Sequence, residues 1–177
     1  MKRLASTVAV VLATLALLAS SGAFAGSTTD AGSGHGAGGS YGFARFLERY
    51  EAANTAFVNG DPGPWLAITA EKDPQSIFGG FGGLGEAGAS TVRQRYLLAA
   101  GAFRPSGAEV DFEYRVKDVR GKLAYTVAIE RADVLYAGQT ELQEQVLRST
   151  MIFRFERGAW KIVHRHADTM VDLQLPG

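Results

Sequence analysis

The densest chemistry in the chain lies near its end, where His164, His166 and Asp168 alternate within Trp160-Lys161-Ile162-Val163-His164-Arg165-His166-Ala167-Asp168. If this run is a strand, residues two apart share a face at a spacing of about 6.5–7 Å. Two imidazoles so placed can meet one substrate or one metal ion, and Asp168 can orient an imidazole or join as a ligand. A histidine titrates near neutral pH and moves protons without special help, so these three residues are acid–base candidates. A metal site needs a third firm ligand, and none is visible, so no metal is expected. The inert alternative is a hydrogen-bonded His pair filling the same face as Trp160 and Ile162. If the other parity faces inward, Lys161, Val163, Arg165 and Ala167 line the interior and the His pair faces a partner subunit; a single bulge swaps the two arrangements.

Other candidates are substrate-binding rather than catalytic. Glu130 and Arg148 are charges inside otherwise apolar runs. They can pair with each other across a sheet, or Arg148 can grip a ligand carboxylate, unless both face solvent. Tyr50 and Trp65 can offer a hydrogen-bond donor and an apolar wall, although core packing is the simpler role of each. Asp73 precedes Pro74 and reads as a turn residue. No G-x-S-x-G or H-E-x-x-H occurs, which leaves serine-hydrolase and zinc-protease chemistry without support.

Gly80, Gly82 and Gly85 spell G-x-G-x-x-G after a short strand-like run. A dinucleotide site requires a helix starting at the last glycine and a parallel βαβ unit, and a P-loop requires Lys followed by Ser or Thr. The next helix signal starts only at about Ser90, so the expected role is geometric. Glycines admit positive φ and close approach, and Phe78 and Phe81 between them are placed to line a pocket mouth or plug the core.

The elements that must carry these residues fall in a clear order. Phe43, Phe46, Leu47, Tyr50, Ala53, Phe57 and Val58 recur at helical spacing, and Asn59-Gly60 supplies a stop. Trp65, Leu66 and Ile68 mark a short second helix, Ser76–Phe78 a short strand, and Val92, Tyr96, Ala99, Ala100 and Phe103 a third helical stripe capped by Ser90-Thr91. From Glu109 the period changes to two. Turns at Arg120-Gly121-Lys122 and Glu156-Arg157-Gly158, with a polar stretch Gln139–Gln143, separate long strands that end with Trp160–Ala167. Helices followed by antiparallel strands define an α+β class, one helix layer on one face of a curved sheet.

Residues 1–25 read as an export signal: Lys2-Arg3, an apolar run Leu4–Ala19, then Ala23-Phe24-Ala25 before Gly26. Residues 26–42 read as a Gly/Ser-rich flexible linker, and 43–177 as one domain. There is no cysteine, hence no disulfide, thiolate site or lipid-anchor acceptor. Lys plus Arg and Asp plus Glu each number 18. That balance argues against a nucleic-acid partner, which needs a clustered basic face. The mature protein is expected to be periplasmic or secreted, with no membrane anchor after cleavage.

Four stretches carry a resemblance: the first helix ending in Asn59-Gly60-Asp61; Asp73 to Gly83; Ala124-Tyr125-Thr126-Val127-Ala128-Ile129-Glu130-Arg131; and Gly158 to Asp168. Together they resemble the SnoaL-like group of the nuclear transport factor 2-like superfamily. The resemblance implies a cone-shaped, cystatin-like α+β fold with helices capping a strongly curved antiparallel sheet around one cavity, usually in a homodimer. It also implies a range of activities, from isomerases, cyclases, dehydratases and epoxide hydrolases to non-catalytic association domains. Ketosteroid isomerases of this superfamily place carboxyl groups at positions that fall here on Phe78 or Gly79 and near Met151, so steroid isomerisation is disfavoured. The expectation is a domain that binds a small, mostly apolar molecule in the cavity without a cofactor. Acid–base catalysis by His164, His166 and Asp168, and a purely dimerising module, are the alternatives.

Overall fold

The computed structural model describes residues 37–169. The export-signal range, most of the linker range and the last eight residues lie outside the described residues. Three helices, α1 (Ala37–Val58), α2 (Gly63–Ile68) and α3 (Ala89–Ala100), accompany seven strands. These are β1 (Ser76–Phe78), β2 (Glu86–Ala87), β3 (Phe103–Arg104), β4 (Asp111–Arg120), β5 (Leu123–Tyr136), β6 (Gln143–Glu156) and β7 (Ala159–Thr169). The class is α+β, with helices against one face of a strongly curled sheet ordered β2-β1-β7-β6-β5-β3, and β4 also paired to β5. The long strands are antiparallel. The short β1 runs parallel to β7, which the alternation pattern did not specify.

Helix α1 begins before the expected Phe43, so residues 37–42, assigned to the linker, are helical. Its stripe Phe43, Phe46, Leu47, Tyr50 and Ala53 is buried against Trp65, Phe153, Trp160 and Ile162. Each large apolar side chain removed from water contributes roughly 1.5–3 kcal/mol, which makes this seam the main anchor of the helix layer. The helix stops at Gly60, whose φ of 87° suits glycine. Asn59 then fixes the chain beyond: its Oδ1 accepts from the backbone N–H groups of Ser106, Gly107 and Ala108, and its Nδ2 donates to Ala108 O. The segment leading into β4 is thereby tied to the end of α1.

Helix α3 starts at Ala89 rather than at a Ser90-Thr91 cap. The Asp73 carboxylate accepts the Ala89 N–H at 2.7 Å, so a residue distant in sequence supplies the cap and favourable negative charge at the helix start. The glycine run leads into a β1–β2 hairpin rather than a helix, which removes the phosphate-loop reading. One glycine there is required by space and conformation: a Cβ on Gly85, at φ 89°, would lie 2.5 Å from the Phe78 ring, whereas one on Gly80 would press the flexible Leu147 side chain at 3.1 Å.

In β5 the buried positions alternate through Ala124, Thr126, Ala128, Glu130, Ala132 and Val134, and in β6 through Leu147, Ser149, Met151 and Phe153. Strand β7 breaks its own alternation. Phe153 pairs with Ile162 but Ile152 pairs with His164, so Val163 is an extra residue in the ladder. Trp160 and Ile162 point inward before the bulge; Arg165 and Ala167 do so after it.

Candidate functional site

The bulge decides which face of β7 each chemical group occupies. Arg165, not His164 or His166, enters the interior. Its guanidinium meets Glu130 through two hydrogen bonds, Nη1 to Oε1 at 2.8 Å and Nη2 to Oε2 at 2.7 Å. The Tyr50 hydroxyl donates to Oε1 at 3.1 Å, and Asn54 Nδ2 donates to Oε2 at 3.2 Å. Burial alone would raise the Glu130 carboxyl, but the Arg165 charge, with hydrogen bonds from Arg165 and Asn54, outweighs it and holds the pKa below the ordinary value. Burial likewise opposes the Arg165 charge, and Glu130 more than restores it. The result is an ionised, saturated pair.

Above this pair lies a cavity of about 60 Å³. By volume it has room for about four to six waters at ~10–15 Å³ each. Its floor contains Trp65, Asn54, Tyr96, Glu130 and Arg165; its walls are Phe57, Val58, Phe103, Val110, Ala132 and Leu147. At the mouth stand Gly79, Gly80, Phe81, Arg95, Arg131 and Gln145. Phe81 packs on the rings of Phe103 and Tyr136 there. Arg95 donates to Gly82 O at 2.6 Å and so steadies the glycine loop from α3. Arg131 is paired to Glu113.

Two buried groups beside the pair are less fully engaged. The Trp65 Nε1–H has no hydrogen-bond partner although the residue is 2% exposed. Its contact with the Tyr96 hydroxyl lowers that group's pKa. Burial is the larger influence on Tyr96 and pushes its pKa up to about 12.

The outer face of the sheet holds the remaining candidates. His164 Nδ1 lies 2.8 Å from Ser76 Oγ, and Phe78 packs on the rings of both His164 and His166. Burial and the neighbouring His166 lower the His164 pKa, with Ser76 acting weakly in the other direction. Asp168 is bound by Arg148 in bidentate fashion, at 3.0 and 2.8 Å. This placement selects among the alternatives that the sequence left open. Arg148 does not pair with Glu130, because it stands opposite Ile129 in the register and points outward. Asp168 is already committed to Arg148 and orients neither His. The trio does not face the cavity, and among the described residues no three His, Asp or Glu gather as a metal cluster.

Of the expected binding residues, Trp65 and Phe81 line the cavity, Tyr50 sits behind the ion pair, and Phe78 and Arg148 occupy the outer face. The sequence reading carried Arg165 to the interior only as one of two open parities, and did not assign Asn54, Tyr96 or Leu147 to the site. Arg165 required the bulge. Asn54 required knowing that Glu130 was inward, which the alternation of small and apolar residues around it in β5 does signal.

This architecture has known relatives. Residues 95–172 match the SnoaL-like domain family. Among solved structures the chain is similar to a nuclear transport factor 2-like superfamily protein from Salmonella enterica serovar Typhimurium. That pair has 16% identity and a TM-score of 0.61, covering 75% of this chain and 92% of the other. It is also similar to a candidate dehydratase of the same family from Streptomyces avermitilis, with 18% identity, a TM-score of 0.59 and coverage of 75% and 99%. A candidate calcium/calmodulin-dependent protein kinase II association domain from Xanthomonas campestris aligns at 12% identity with a TM-score of 0.59, covering 73% and 88%. No curated protein matches the sequence. At these identities the likeness concerns the fold, and one fold here carries unlike functions.

Proposed function

We propose that the domain binds a small, mostly apolar molecule in the inner cavity and that binding, not proton transfer, is its activity there. The observation that supports this is the state of Glu130, the one carboxylate lining the cavity. A general base works best with a pKa near the operating pH. Glu130 is held below the ordinary carboxylate range with both oxygens occupied, which suits a fixed dipole on an apolar pocket's floor. A dehydratase-like reaction would need a group titrating near neutrality inside the cavity. His164 and His166 lie on the opposite face, so an acid–base role for them with Asp168 would act on a molecule bound elsewhere.

The test is a native mass spectrum of the protein purified from its own host, recorded under gentle and then denaturing conditions. A small molecule released on denaturation is expected, and the Ala99→Trp variant, which fills the cavity from α3, should carry none. Retention of the same molecule by Ala99→Trp would sink the reading.

A second reading concerns the outer face, where Phe78, Ile152, Tyr125 and Val116 are exposed. An apolar group of this kind on a sheet face favours a second copy of the chain. Light scattering should give a dimer for the parent protein and a monomer for Ile152→Arg; a monomeric parent removes the idea. Export is part of the proposal, on the strength of residues 1–25. Recovery from periplasm or medium of a chain starting at Gly26 is the expected result, and a cytosolic chain retaining Met1 the opposite one.

A further inference from the structure

We propose that residues 170–175 extend β7 along the β6 edge at 143–146 and close the cleft outside the cavity mouth with Val171 and Leu173. This goes beyond the binding reading above and needs no ligand.

The cleft lies in front of the cavity and is distinct from it. It measures about 670 Å³, and Gly80, Phe81, Tyr136, Gln145 and Leu147 line it, with Thr169 at its edge. Gly80, Phe81, Gln145 and Leu147 also line the cavity, so whatever fills the cleft covers the entrance. The sheet is incomplete at this place. Strands β5 and β6 stay paired as far as Val134 opposite Gln143, but the β6–β7 ladder ends where Leu147 meets Thr169. Among the described residues, 143–146 therefore have no partner on the β7 side. An unpaired edge of this kind is a template for another strand.

The sequence directly after Thr169 has the pattern of that strand. Met170-Val171-Asp172-Leu173-Gln174-Leu175 is followed by Pro176, which cannot donate to a ladder. Beyond the Val163 bulge the inward positions are Arg165 and Ala167, and Thr169 shares their parity. The same parity falls on Val171, Leu173 and Leu175, all apolar, while Met170, Asp172 and Gln174 take the other side. Continuing the register past Leu147–Thr169 sets Val171 opposite Gln145 and Leu173 opposite Gln143. Val171 is then diagonal to Leu147 and within reach of it. The SnoaL-like match runs to residue 172 and so takes in the first half of the segment. One contact opposes closure. Glu144 already stands opposite Asp133, and the extension brings Asp172 to its other side. Like charges directly opposite are destabilising, which makes this the weakest rung of the extended ladder.

Amide hydrogen exchange followed by NMR tests the closure. In an antiparallel ladder successive residues direct their N–H groups to alternate neighbours, so two of residues 143–146 point toward β5 and two toward the β7 side. The β7-side pair should exchange at least about tenfold more slowly in the parent protein than in a chain ending at Thr169, while the β5-side pair changes far less. The Val171 and Leu173 methyl groups should show nuclear Overhauser contacts to Leu147, Tyr136 or Phe81 in the parent. Leu173→Asp should remove the protection, and Asp172→Asn should raise it by relieving the contact with Glu144. Parent β7-side amides that exchange freely, or methyl groups without those contacts, overturn the proposal even if the shortened chain fails to fold. Protection that survives Leu173→Asp overturns the inward placement of the apolar side chains. None of these readouts needs a bound molecule, so an empty cavity in the native mass spectrum would end the binding reading and leave this one standing.

Discussion

Two bidentate ion pairs share the strand β7, and they behave as different kinds of object. Glu130–Arg165 spans β5 and β7 on the inner face, with side chains 5% and 10% exposed. Arg148–Asp168 joins β6 and β7 on the outer face, at 52% and 45%. Their hydrogen-bond distances are nearly the same. Water separates them: the inner pair has almost no solvent to replace a lost partner, and the outer pair is about half exposed. An interior charge is therefore held by its whole neighbourhood, here Tyr50 and Asn54 as well as Arg165, whereas the surface pair can be lost with little consequence.

That contrast is open to direct attack. The largest effect is expected from Arg165→Met, which strands the Glu130 charge and should cost about 3–5 kcal/mol in urea unfolding; a cost similar to that of a surface pair would end the comparison. Glu130→Leu combined with Arg165→Met should recover most of that loss, because an apolar replacement of a buried pair is often neutral or better. It should nonetheless change the cavity floor.

The third effect is acid sensitivity. The Glu130 carboxyl is depressed in the folded protein, so its contribution is complete above the ordinary value of 4.5 and lost as pH falls below it toward the folded-state value. The urea midpoint of the parent should drop between pH 5 and 3, and the double variant should show a shallower drop over the same range. The smallest effect belongs to Arg148→Ala, at about 0–1 kcal/mol by the same unfolding measurement at neutral pH.

The same two pairs show what a sequence can reveal. The strands were legible because small and apolar residues alternate through β5 and β6 with turn residues between them. The helices were legible because Phe43 to Val58 keeps one stripe. The parity of Glu130 was also within reach, since Ala124, Thr126, Ala128 and Ala132 mark the inner face. Arg165 was not. Its side of β7 depends on one unpaired residue, and nothing about Val163 distinguishes a bulged valine from a regular one. Local propensity likewise missed the cap of α3, because Asp73 reaches it from the other side of the β1–β2 hairpin. Contacts set by the closing of the sheet leave no local trace.

The extra residue in β7 also has a meaning for descent. Side chains on a strand alternate with period two, so keeping Val163 and pairing it regularly in the ladder would carry His164, His166 and Asp168 inward and turn Arg165 out. A one-residue slip in pairing thus separates a saturated, base-poor interior from one furnished with two imidazoles and a carboxylate. In a sheet of this kind, lineages need not acquire new reactive residues one at a time, because a full set already stands on the reverse side of the same strand.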